Sequence, residues 1–182
     1  MTIDDAQSDL RRAYVGGGPG VFVSGLVWLA AAMVERKAGI GPAFTTLFFG
    51  GMLIFPLGAL ACRLVFKRAK EAADNRLAAI ALESTVAMIG GLLAAWLFLP
   101  LEPAHVFPIA AIAVGTHYAV FRTLYGDALF WVLGGLITAA GLLGLFAGGA
   151  IPGGTILVVG AIELLFAVLL TMRALRAEQA AG

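Results

Sequence analysis

The charges in this chain are segregated, and that segregation limits its possible folds more than any other feature. Uncharged stretches cover residues 13–34, 38–62, 84–101, 103–121 and 128–162. Each is close to or above the roughly 20 residues that a helix rising about 1.5 Å per residue needs to cross a hydrocarbon layer about 30 Å thick. With 61% apolar and 13% charged residues, against about 45–50% and about 25% in soluble domains, the sequence predicts an all-α, polytopic membrane helix bundle. Spans are expected near 15–34, 43–65, 77–99, 106–124, 128–147 and 154–172. The breaks carry Gly and Pro: "KAGIGP" between spans one and two, "PLEPAH" between three and four, and "GGAIPGG" between five and six.

Sidedness follows from the basic residues. Arg11, Arg12, Arg63, Lys67, Arg68, Lys70, Arg76, Arg122, Arg173 and Arg176 fall on one side of the six spans, and only Arg36 and Lys37 on the other. The positive-inside rule therefore predicts that both termini are cytoplasmic. Residues 1–182 read as a single six-helix domain, with a cytoplasmic amphipathic N-terminus over 1–14, a charged cytoplasmic loop over 66–76 and a cytoplasmic tail over 173–182. Trp28 and Trp96 toward the outer ends, with Trp131 near the inner end, read as an aromatic belt. The acidic N-terminus has no cleavable-signal pattern, so the first span is expected to direct insertion.

Two spans carry a lone acid. Span six holds eleven Leu, Ile, Val or Phe between Gly154 and Met172 around the single charge of Glu163. Those side chains, each worth about −0.3 to −0.6 kcal/mol, outweigh a cost of roughly 3 kcal/mol for one acid. Gly160, Ala167 and Thr171 share the face of Glu163 at helical spacing, so that face is expected to meet another helix. Span three repeats the pattern, with Glu83 among Ala79, Ala87, Gly90 and Ala94. His117 in "AVGTHYAVFRTLYG" offers both acids a partner. Helical rise puts Glu83 about 9 Å, His117 about 8 Å and Glu163 about 13 Å from the cytoplasmic ends of their spans. A shared polar binding site of Glu83, His117 and Glu163 is the sharpest expectation.

Gly17, Gly18 and Pro19, in "YVGGGPGVFVSG", predict either a broken helix exposing backbone to a solute or a close helix contact. Pro56 removes a backbone hydrogen bond in span two and predicts a kink or hinge. Six spans also admit a three-plus-three reading with inverted halves, matching Gly50–Gly51 to Gly134–Gly135 and Glu83 to Glu163.

Known catalytic constellations are missing from the pattern. Ser24 in "FVSGL" lacks the preceding glycine of a Gly-x-Ser-Gly protease motif and reads as a packing hydroxyl, and Cys62 reads the same way. His105 and His117 are too far apart in sequence for a short-spaced metal motif, and a metal at Glu83, His117 and Glu163 is disfavoured. With lysines confined to the loops, a Schiff-base retinal protein is excluded. No cofactor, no metal and no nucleic acid are expected. Membrane lipids, a small solute or proton, and a second copy of the chain are the candidate partners.

Over nearly its whole length, through "DLRRAYVGGGPGVFVSGLVW", "FFGGMLIFPLGALACR" and "THYAVFRTLYGDALFW", the chain resembles a family of small six-span bacterial membrane proteins known as a domain of unknown function. The resemblance implies six spans and a bacterial inner membrane, and brings no activity or catalytic residues. Function is thus expected to be transport or channel-like passage through a protonatable Glu/His site. The alternatives are a non-catalytic scaffold or lipid-binding protein, and an intramembrane lipid-modifying enzyme.

Overall fold

The computed structural model describes residues 1–147 and 154–181. Apart from Gly154, the expected break at 148–154 lies outside them. Among the described residues seven α-helices follow in order: α1 Ile3–Tyr14, α2 Gly18–Ala38, α3 Ile40–Leu64, α4 Leu77–Leu97, α5 Val106–Tyr125, α6 Leu129–Phe146 and α7 Gly154–Ala181. The last six are long and apolar enough to cross a membrane. Among the described residues there is no strand. The expected spans appear with ends shifted by a few residues, except that α7 runs well past Met172. Its continuation, "RALRAEQAA", holds good helix formers and no Gly or Pro to stop it.

Helix α1 is amphipathic and buries Ala6, Leu10 and Ala13. Thr2 and Asp5 close a capping box at its start, satisfying backbone groups that helical bonds leave open. A turn at Val15–Gly17 separates it from α2. There Val15, Gly16 and Gly17 take φ of 49°, 61° and 81°, the left-handed region that glycine enters without steric cost. Gly18 and Pro19 already belong to the first turn of α2, where the ring of proline suits the helix. The break expected at residues 17–19 is thus a turn ending at Gly17. All of residues 15–19 are buried, which corrects the expectation of backbone offered to a solute.

Within the bundle α2 lies between α3 and α7, α5 lies between α4 and α6, and contacts of α7 with α6 and α5 join the two groups. Each half's first span therefore packs on its own second span and on the other half's third. Large apolar side chains such as Phe49, Phe55, Leu82, Val86, Leu136 and Leu165 face outward, as a lipid-bathed surface requires. Pro56 is exposed within α3, which continues unbroken from Ile40 to Leu64. Trp28 departs from the belt expectation: it is buried and packs its ring against Phe107 at 6.3 Å, whereas Trp96 and Trp131 are exposed.

One end of the bundle gathers α1, the 66–76 loop and the C-terminal ends of α5 and α7. Gln7 Nε2 and Arg11 Nη1 donate to the carbonyls of Thr123 (2.7 Å) and Tyr125 (2.6 Å), which close α5. Asp9 accepts from Arg12 (2.7 Å), the Ala72 N–H (2.8 Å) and Asn75 Nδ2 (3.0 Å). Asn75 also donates to the Ala6 carbonyl at 2.9 Å. Tyr14 donates to Glu71 at 2.8 Å, and Arg68 pairs with Glu178 of α7. Arg11, Arg12 and Arg68 are thereby woven into a cap over this end.

A carboxyl in the bundle core

Glu163 is fully enclosed, at 0% exposure. What brings it inside is a close antiparallel contact of α7 with α2. A Cβ on Gly25 would lie 2.9 Å from the Leu164 side chain, one on Gly160 2.9 Å from Leu29, and one on Gly18 2.9 Å from the Thr171 backbone nitrogen. Larger residues at these places would separate the helices. Because Gly25 and Gly160 bracket the acid, its carboxyl meets α2 at Ser24, which is also buried. The Ser24 hydroxyl stands beside both Glu163 and Tyr118.

From the third side comes Tyr118 of α5. Its hydroxyl donates to Glu163 Oε1 at 3.0 Å, and its ring stacks on Phe130 at 6.4 Å and meets Phe121 edge-on at 5.8 Å. The other carboxyl oxygen, Oε2, is buried with no hydrogen-bond partner. Such an oxygen is costly in an apolar interior. A proton is the smallest group that relieves that cost.

The remaining expected members are placed elsewhere. Adjacent residues on a helix point about 100° apart, so while Tyr118 faces α7, His117 faces α4. Its Nδ1 lies 2.6 Å from Ser84 Oγ, and its ring meets Phe121 at 4.8 Å. Glu83 is exposed on the outer side of α4, together with Ala79, Ala87, Gly90 and Ala94. The expected shared site of Glu83, His117 and Glu163 is therefore corrected: the helix turns Ser84, not Glu83, toward His117, and the small-residue face of α4 looks outward. Among the described residues no group of three or more His, Cys, Asp or Glu stands where it could hold a metal ion.

Sequence reasoning passed over Tyr118 and Ser84 and read Ser24 as packing alone. Tyr118 shares a helical face with the small residues Ala111 and Gly115, the same signal that marked Glu163, and so could have been found. Ser84 carries it as well, with Ala81 and Gly91 at helical spacing on its face and Gly91 the point where α4 closes on Ala113 of α5.

The fold and this core define a multi-pass membrane helix bundle with an acid walled into its centre. Residues 3–173 match the model of the family of unknown function DUF7010, and the chain belongs to that family. Neither a curated protein nor a solved structure matches it.

Proposed function

We propose that the protein is a small transport protein of a bacterial cytoplasmic membrane, with both termini and the basic cap in the cytosol, and that Glu163 binds and releases a proton during its cycle. The observation that carries this reading is the orphan Oε2 of Glu163, beside a Tyr118 hydroxyl that already serves Oε1. An acid at this depth with no basic residue against it is expensive to keep, and a carrier that couples movement to protonation has a use for it. The glycine-lined α2–α7 contact and the left-handed turn at Val15–Gly17 are the places where such a cycle would open the bundle.

The test uses purified protein in sealed vesicles with a trapped pH-sensitive dye and an imposed potassium potential. Wild type is expected to admit protons, and Glu163→Gln, which keeps the shape but not the titration, to lose about tenfold or more of that flux. Equal flux in the variant, or wild-type flux no greater than that of empty vesicles, overturns the reading.

A second reading is a scaffold in which Glu163, Tyr118 and Ser24 fix the register of α7, α5 and α2 through interhelical hydrogen bonds of about 1 kcal/mol each. Its support is that two grooves on the bundle surface, one among α2, α3 and α7 and one between α5 and α6, are lined by other residues than Glu163. It predicts that Glu163→Gln lowers thermal stability with no flux to change.

A further inference from the structure

Between α5 and α6 the bundle carries a shallow open groove of about 430 Å³, floored by Gly115, Gly134 and Gly135 and sided by Thr116, Ala139 and Leu142. Its floor exists because the two backbones touch: a Cβ on Gly134 would lie 2.5 Å from the Gly115 carbonyl oxygen. A Cβ on Gly135 would meet nothing within 4 Å, so that residue opens straight into the groove. The lining is almost wholly apolar, and the Thr116 hydroxyl is turned back onto the Ile112 and Ala113 carbonyls of its own helix.

At one mouth stands Trp131, with the Arg122 guanidinium 5.1 Å above the centre of its ring. Both side chains are exposed, and among the described residues Arg122 forms no ion pair with an acid. An indole and a guanidinium at the end of a membrane groove sit where headgroups meet hydrocarbon. From Trp131 to Leu142 the groove climbs about 16 Å of helix, half of a hydrocarbon layer about 30 Å thick. One leaflet's acyl chain fills that length, whereas a neighbouring transmembrane helix would run the whole depth.

The geometry points to a binding site for one anionic phospholipid of the leaflet at the capped end, its acyl chain lying over Gly135 and Ala139 and its phosphate held by Arg122 beside Trp131. The chemistry is that of guanidinium and phosphate, and the groove supplies the contact that a free headgroup lacks. This site is separate from Glu163 and does not depend on proton movement.

The test titrates delipidated full-length protein in detergent with phosphatidylglycerol or phosphatidylcholine and counts retained lipid by native mass spectrometry. Wild type is expected to hold phosphatidylglycerol in preference to phosphatidylcholine. Arg122→Gln should weaken phosphatidylglycerol about fivefold and leave phosphatidylcholine unchanged, while Arg76→Gln, an exposed basic residue outside the groove, should change neither. Gly135→Leu, whose side chain enters empty space, should displace both lipids. The proposal is overturned if wild type shows no preference or if Arg122→Gln binds as wild type does. It is also overturned if Gly135→Leu retains lipid normally and instead changes the oligomeric mass, which would assign the face to a second copy of the chain.

Discussion

Helices α4 and α7 look alike as sequence and differ as structure. Each is a long apolar helix with one acid in its membrane stretch and small residues along the face of that acid. In α7 that face is buried inside the bundle, with Thr155, Ile156, Val159, Glu163, Phe166, Ala167 and Leu170 all enclosed. In α4 only Leu92 and Ala95 are buried, and the face of Glu83 looks away from the bundle. The difference lies in the neighbours. Helix α7 has α2, α6 and α5 around it, whereas α4 packs chiefly along α5. A small-residue face states that a helix can be approached closely; which helix arrives is decided by the rest of the chain.

Substitutions made in matched pairs test this contrast. The largest difference is expected between Gly18→Val and Gly90→Val. A side chain at Gly18 runs into the Thr171 backbone, while one at Gly90 meets nothing within 4 Å. The first should cost about 3 kcal/mol or more, a fall in Tm of about 10 °C in detergent, and the second should stay within about 0.5 kcal/mol of wild type. Equal losses would remove the packing difference between the two helices.

Next in size is Glu163→Ala against Glu83→Ala. Removing Glu163 leaves a cavity and a buried Tyr118 hydroxyl without its acceptor, for about 2–3 kcal/mol. Removing Glu83 deletes an exposed side chain and should shift thermal unfolding by no more than about 0.5 kcal/mol. Tyr118→Phe, which takes away the one hydrogen bond Glu163 accepts from a ring hydroxyl, should cost about 1 kcal/mol. Ser84→Ala breaks the link from α4 to His117, the only side-chain hydrogen bond between α4 and α5 among the described residues, and should cost about 0.6 kcal/mol. A loss at Ser84 exceeding that at Tyr118 would reverse the order of the two helices.

These pairs also mark how far the sequence could be read. Number and position of the spans were legible because uncharged runs long enough to cross hydrocarbon alternate with Gly, Pro and charge. The burial of Glu163 was legible too, from Gly160, Ala167 and Thr171 on its face. The same reasoning failed at Glu83, since a one-residue turn of α4 decides whether position 83 or 84 meets α5, and no pattern within α4 fixes that rotation. It failed at His117 for the same reason, with Tyr118 taking the inward place. Trp28 looked like a belt residue by its position along α2, yet its burial depends on Phe107 of α5, a contact across the bundle that periodicity does not encode.

The most direct measurement of the contrast exposes the protein in lipid vesicles briefly to a carbodiimide dissolved in the lipid phase and maps the modified carboxyls by mass spectrometry. The reagent should mark Glu83, which faces outward from α4, and leave Glu163 untouched behind α2, α5 and α7. Modification of Glu163 with Glu83 unmarked would contradict the arrangement of the whole bundle.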